Sequence, residues 1–97
     1  MNVISKPGLM TEARRHPETL SVLDSFYRKA RKASWQGLQD VRQQFPSADQ
    51  VGNVLIFNVL GGNYRLIMTV NYSRQTMFFK ALLTHREYDR KEWKKWA

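Results

Sequence analysis

Six consecutive residues, Thr84-His85-Arg86-Glu87-Tyr88-Asp89, deliver a histidine, an arginine, a tyrosine and two carboxylates directly after the apolar run Met77 to Leu83. A histidine moves protons near neutral pH. An arginine holds an oxyanion, and a tyrosine donates a proton or stacks on a base. Around this segment the chain is strongly basic: sixteen Lys and Arg oppose eight Asp and Glu, for a net charge of +8. Such a balance attracts nucleic acid, an acidic partner or an anionic surface, and says nothing about fold. The cations cluster as Arg28, Lys29, Arg31 and Lys32, and again from Arg86 through Arg90 and Lys91 to Lys95. A solvated helix face is the alternative reading of the first cluster.

The elements that must position these residues run helices first, then strands. Asn2 to Ser5 reads as a short strand. Pro7 suits the first turn of a helix, where its missing N–H goes unused, and that helix ends near His16, before Pro17. Leu20, Leu23, Tyr27 and Ala30 recur at helical spacing, with Phe26 and Ala33 widening the stripe. Trp35, Leu38, Val41 and Phe45 suggest a further short helix ended by Pro46. Ser47 to Gly52 reads as a loop. From Val54 the period changes to that of strands: Val54–Leu60, Tyr64–Tyr72 and Thr76–Thr84, separated by Gly61-Gly62-Asn63 and Ser73–Gln75. Short connections make these an antiparallel meander. The tail after His85 reads as a short helix or helical extension carrying Trp93 and Trp96.

Alternate strand residues point to opposite faces. Leu66, Met68 and Val70 share one face of their strand; Met77, Phe79, Ala81 and Leu83 share one face of the next. These sets are expected against the helices. The other face should present Arg65, Lys80 and Thr84. With Arg74-Gln75 as a two-residue turn, Arg65 falls opposite Thr84 and Lys80 opposite Thr69, so that one phosphate could reach both cations. His85, Arg86 and Tyr88 would close the end of this surface. Each residue also has a purely structural reading: Lys80 as a guard against edge pairing, Arg65 as the partner of Glu87 or Asp89, Tyr88 as a packed ring. His16 reads as a surface residue, and Trp93 and Trp96 as packing or interface anchors.

Composition and missing motifs narrow the chemistry. The 97 residues are expected to form one domain spanning 1–97, with hydrophobic content of 42% supporting a packed core. Without cysteine there is neither a disulfide framework nor a thiolate metal site. Two distant histidines make zinc a poor fit, and the carboxylates lack the pattern of a magnesium cage. No phosphate-binding glycine motif and no nucleophile elbow occurs. No secretory leader core and no run approaching the ~20 apolar residues of a membrane span is present. The expectation is a cytoplasmic protein without membrane association that needs no metal and no cofactor, and acts on a phosphate or simply binds one.

The ordered segments V-L-I-F-N-V-L-G-G-N-Y-R-L-I at 54–67, V-N-Y-S-R-Q-T at 70–76 and T-H-R-E-Y-D at 84–89 resemble the HigB branch of the RelE-type toxins. F-P-S-A-D at 45–49 and the Arg/Lys helix before it fit as well, so the resemblance runs from about Tyr27 to Trp96. It implies an α+β fold: a small twisted antiparallel sheet with helices on one face and the active site on the other. It implies the toxin of a type II toxin–antitoxin pair, an endoribonuclease cutting mRNA on the ribosome without a metal. In that setting Arg65 and Lys80 would stabilise the phosphate, and His85 and Tyr88 would be the candidate acid and base. Arg86 would be a further phosphate contact, and Asp89 would orient His85 or Arg86. The clusters at 28–32 and 90–95 would meet ribosomal RNA. The implied partners are mRNA, the ribosome and a helix-turn-helix (HigA-like) antitoxin. Two rivals remain open: a non-catalytic RNA- or ribosome-binding module, and a gyrase-inhibiting toxin on the same scaffold.

Overall fold

The computed structural model describes residues 1–97. A short strand β1 (Asn2–Ile4) leads into helix α1 (Lys6–Arg15), a 3-10 turn (Pro17–Thr19), α2 (Leu20–Lys32) and α3 (Leu38–Gln44). Strands β2 (Asp49–Val51), β3 (Val54–Val59), β4 (Tyr64–Asn71) and β5 (Thr76–Thr84) follow. The chain closes with α4 (His85–Asp89) and a 3-10 turn (Glu92–Trp96). No helix is long and apolar enough to cross a membrane.

The helices form where the apolar spacing demands them. On α2, Leu23, Phe26 and Ala30 recur three and four residues apart and are buried. Lys29, Arg31 and Lys32 fill its last turn, where cations favour the negative end of the helix dipole. Pro7 lies in the first turn of α1 and α3 ends one residue short of Phe45-Pro46, as the proline positions require.

The sheet order is β1-β5-β4-β3-β2. The expected antiparallel meander holds for β3 to β5, but β1 runs parallel to β5, pairing Val3 with Met77, so the sheet is mixed. The N-terminal strand precedes the whole helical layer, and nothing in its three residues states which way it adds to the open edge. A second correction concerns Ser47 to Gly52. Asp49–Val51 is a strand, turned back onto β3 through Gly52-Asn53, with Gly52 at φ +57. Three mostly exposed residues at an edge carry no alternation by which to recognise a strand.

The third correction bears on the site. The turn after β4 spans Tyr72 to Gln75, so Asn71 pairs with Thr76 and Thr69 with Phe78, and a bulge follows at Lys80. Beyond it Ala81 pairs with Ile67, Leu83 with Arg65, and Thr84 with Tyr64. One extra residue reverses the facing of everything after it. Met77 and Leu82 therefore join the helix-side core, with Phe79 packed against it, whereas Ala81 and Leu83 turn to the opposite face.

Two cores result. The larger lies between helices and sheet, where Leu9, Leu23, Phe26 and Val41 meet Leu55, Phe57, Leu66, Met68 and Met77. The smaller lies on the far face, where the C-terminal turn lays Trp93 over Val54, Ile56 and Ile67, flanked by Ala81, Leu83, Tyr88 and Trp96. The sheet is thus covered by three helices on one side and partly by the C-terminal segment on the other.

Candidate active site

The far face of the sheet ends where β4, β5 and α4 meet. Thr84 stops β5 and starts α4 through a reciprocal cap: its hydroxyl accepts from the Glu87 N–H at 3.2 Å, while its own N–H donates to Glu87 Oε1 at 2.9 Å. These bonds, led by the backbone N–H, hold the Glu87 carboxyl below the usual carboxylate range against a smaller opposing effect of burial, with Arg90 and His16 adding to the lowering. The His85 N–H donates to Asn63 O at 3.1 Å and so ties the new helix to the β3–β4 turn.

Residues three and four apart on a helix share a side. His85, Tyr88 and Asp89 are such a set, and Arg86 is exposed beside it. His85 Nε2 lies 3.7 Å from Asp89 Oδ2, both side chains 62% exposed. Tyr88 is half-buried. Its ring is stacked with Trp93 at 5.2 Å between centroids and 2° between planes, and the Arg65 guanidinium lies 5.0 Å from the same ring. Trp93 is fixed again by its indole N–H, which donates to the Tyr88 carbonyl at 3.1 Å.

Arg65 reaches this position from β4 and donates to the Gly62 carbonyl. Gly62 has φ +93, and a Cβ there would stand 2.9 Å from the guanidinium. Glycine is therefore needed both for the turn and for the close approach. No carboxylate lies within 4 Å of Arg65, because Glu87 caps its own helix and Asp89 faces His85. The guanidinium keeps N–H donors free for an incoming oxyanion.

The sequence expectations divide here. Arg65 and Tyr88 are in contact, and the His85–Asp89 pair lies on the same short helix as Tyr88. Lys80 does not share their contacts: it is exposed on the bulge, its ammonium 6.0 Å from the Phe78 ring. It lies three residues along β5 from Leu83, the partner of Arg65, or about 10 Å at ~3.3 Å per residue. The expected pairings of Arg65 with Thr84 and Lys80 with Thr69 are replaced by Leu83 and Phe78. Arg86, Arg90 and Lys91 are exposed around α4. Arg28, Lys29, Arg31 and Lys32 are exposed on α2, in the helical layer. Two participants escaped the sequence reading. Gly62 was legible only as a turn residue, though Arg65 three positions on is the spacing its carbonyl contact uses. Trp93 was legible as a packing anchor, but not as the plane against which Tyr88 is held.

His16 is a half-buried neighbour rather than a free surface residue, its ring 5.0 Å from Tyr64 on the helix side of the same sheet end. The Tyr64 hydroxyl donates to Glu18, which lowers the acid's pKa and raises the phenol's. No group of three or more His, Asp or Glu side chains is arranged to hold a metal ion.

Residues 20–91 match the family model of HigB toxins, the RelE-like toxic component of a toxin–antitoxin system. The chain is 29% identical over 93 residues to the mRNA interferase HigB of Escherichia coli O6:H1, covering 93% of this chain and 90% of that protein. It is 25% identical over 92 residues to the mRNA interferase toxin HigB of Escherichia coli K12, covering 92% and 88%.

Proposed function

Since this chain belongs to the HigB toxin family, the RelE-like toxic component of a toxin–antitoxin system, we propose that it is an endoribonuclease whose substrate is mRNA, held across the end of the sheet formed by β4, β5 and α4. The observation that carries the reading is the Arg65 guanidinium. It is fixed by the Gly62 carbonyl and the Tyr88 ring and paired with no carboxylate, and Tyr88 shares α4 with an exposed His85–Asp89 pair. The relatives named mRNA interferases over nearly the whole chain supply the substrate class.

The chemistry follows from RNA itself. A base removes the 2′-hydroxyl proton, and that oxygen attacks the adjacent phosphorus. The bond from phosphorus to the 5′-oxygen breaks, and an acid protonates the departing oxygen. The products are a 2′,3′-cyclic phosphate and a 5′-hydroxyl. Negative charge grows on the phosphorane, and preorganised cations stabilise it. Arg65 takes that role, with Lys80 meeting a neighbouring phosphate along β5 rather than the same one. His85 is the first candidate for proton transfer, oriented by Asp89, and Tyr88 the second. Arg86 stands as a peripheral phosphate contact. Charge stabilisation by side chains leaves no step assigned to a metal ion.

The wider reading places the reaction on the translating ribosome, with the clusters Arg28, Lys29, Arg31, Lys32 and Arg90, Lys91 on ribosomal RNA, and a helix-turn-helix antitoxin as the neutralising partner. Induction in growing cells followed by mapping of RNA 5′ ends tests it. New 5′-hydroxyl ends inside translated messages are expected. Growth arrest with intact RNA and damaged DNA would instead place the target in gyrase, and neither effect would leave a binding module.

A further inference from the structure

A mainly apolar cavity lies away from the Arg65 surface, between α2 and β3 on the helix side of the sheet. It has a volume of about 310 Å³. Phe26, Phe45 and Phe57 line it as a mutually packed trio, with centroids 4.8 to 5.4 Å apart. Ser21, Ser25 and Lys29 add polar groups to the lining, and the Lys29 ammonium is 5.8 Å from the Phe45 ring.

The same cavity borders an unfinished sheet edge. β2 pairs only with Val54, Leu55 and Ile56, and no strand lies beside the rest of β3. The Val70 N–H donates to Asn53 O at 2.8 Å, which fixes the phase of the ladder. Residues 53, 55, 57 and 59 then exchange hydrogen bonds with β4, and 54, 56 and 58 point the other way. Val54 and Ile56 meet Val51 and Asp49 there. Asn58 has no strand opposite, and it lines the cavity.

We infer that this groove is the docking site for a segment of the antitoxin that carries apolar anchors and carboxylates and adds as a strand at Asn58. The inference rests on the toxin reading for the identity of the partner. Charge selects the occupant. The rim lysine continues into Arg28, Arg31 and Lys32, all exposed on the same helix, and the chain carries +8. A second copy would bring like charge to like charge. A nucleobase needs an exposed ring face, whereas Phe26 and Phe57 are 4% and 2% exposed. An acidic segment satisfies the rim, an aliphatic or aromatic anchor fills the cavity, and main-chain bonding at the edge fixes direction.

The test is the affinity of the full chain for its purified cognate antitoxin, measured by titration calorimetry at two salt concentrations. Ser25→Trp fills the groove from its mouth and should weaken binding by roughly thirtyfold or more. Asn58→Pro removes one outward N–H and should weaken it by about tenfold, the equivalent of one hydrogen bond. Ser25→Ala should bind normally, and wild-type affinity should fall with salt. Ser25→Trp should keep its circular dichroism and RNA cleavage. Binding of both altered chains within twofold of wild type overturns the inference, as does a wild-type chain that binds no antitoxin. A wild-type dimer abolished by Ser25→Trp, with antitoxin affinity unchanged, would give the groove to a second copy and overturn it equally. A wild-type chain that binds antitoxin but cleaves no RNA would sink the nuclease reading and leave the docking result standing.

Discussion

Tyr88 is asked to do two separable things, and paired substitutions separate them. Its ring is held between structural partners, Trp93 at 5.2 Å and Arg65 at 5.0 Å, whereas its hydroxyl is the candidate proton donor. Tyr88→Ala removes the ring. The aromatic stack contributes about 0.5–1.5 kcal/mol, the cation–π contact about 0.5–1, and half-burial of some ~200 Å² at ~25 cal/mol/Å² about 2.5. These overlap, so a total loss of about 2–4 kcal/mol is expected, roughly 10–25 °C in melting temperature for a domain of this size. Tyr88→Phe keeps the ring and should melt within about 3 °C of wild type, a shift of under ~0.5 kcal/mol. If the hydroxyl transfers the proton, single-turnover cleavage by the Phe variant drops ~10²–10⁴-fold. If the phenol only shelves Arg65, the Phe variant cleaves at the wild-type rate and His85→Ala carries the loss. Urea denaturation beside single-turnover kinetics reads both. Equal destabilisation by Phe and Ala, or full cleavage by Tyr88→Phe and by His85→Ala together, refutes the reasoning.

Gly62→Ala should slow cleavage by about tenfold or more while binding RNA, because the new methyl meets the Arg65 guanidinium at 2.9 Å and strains a turn at φ +93; Arg65→Ala combined with Gly62→Ala should then be no slower than Arg65→Ala alone. Glu87 predicts an acid limit for α4. Its folded pKa is depressed by the Thr84 bonds, so its stabilisation is present above the ordinary carboxylate value and is lost as pH falls through the folded value. Tryptophan fluorescence followed downward in pH should show the Trp93 stack loosening there, and Glu87→Gln should flatten that dependence. Replacing Arg28, Lys29, Arg31 and Lys32 by Gln should weaken ribosome association and reduce its salt slope; unchanged binding at physiological salt would leave the cluster a solvated face.

Much of the scaffold was readable before the structure, and the reasons are physical. Helices α1 to α3 follow from proline placement and apolar spacing, and β3 to β5 from β-branched runs cut by Gly61-Gly62-Asn63 and Ser73–Gln75. Register was not readable. The four-residue turn at Tyr72 to Gln75 and the bulge at Lys80 are tertiary choices: Met77, Phe79, Ala81 and Leu83 form a faultless alternating set, yet the bulge sends Ala81 and Leu83 to the far face. What drives the reversal is a second apolar partner. The C-terminal Trp93 and Trp96 need a surface, and Val54, Ile56, Ile67, Ala81 and Leu83 provide it. Lys80 sits on the bulge itself, three residues along β5 from the partner of Arg65. The T-H-R-E-Y-D segment was legible as a cluster because it is contiguous. Its strongest feature, an arginine fixed by a glycine carbonyl and a tyrosine ring, depends on β4 arriving beside α4.

The central claim is that RNA is cut by its own 2′-hydroxyl on the Arg65–His85–Tyr88 surface. The most direct measurement gives the purified chain ribosomes paused on a defined message in two forms that differ by one atom: ribose or 2′-deoxyribose on the 5′ side of the scissile phosphate. Cleavage of the ribose message to a 2′,3′-cyclic phosphate and a 5′-hydroxyl is expected, and none at the deoxy position. Cleavage of both messages, or a 5′-phosphate product, would contradict it.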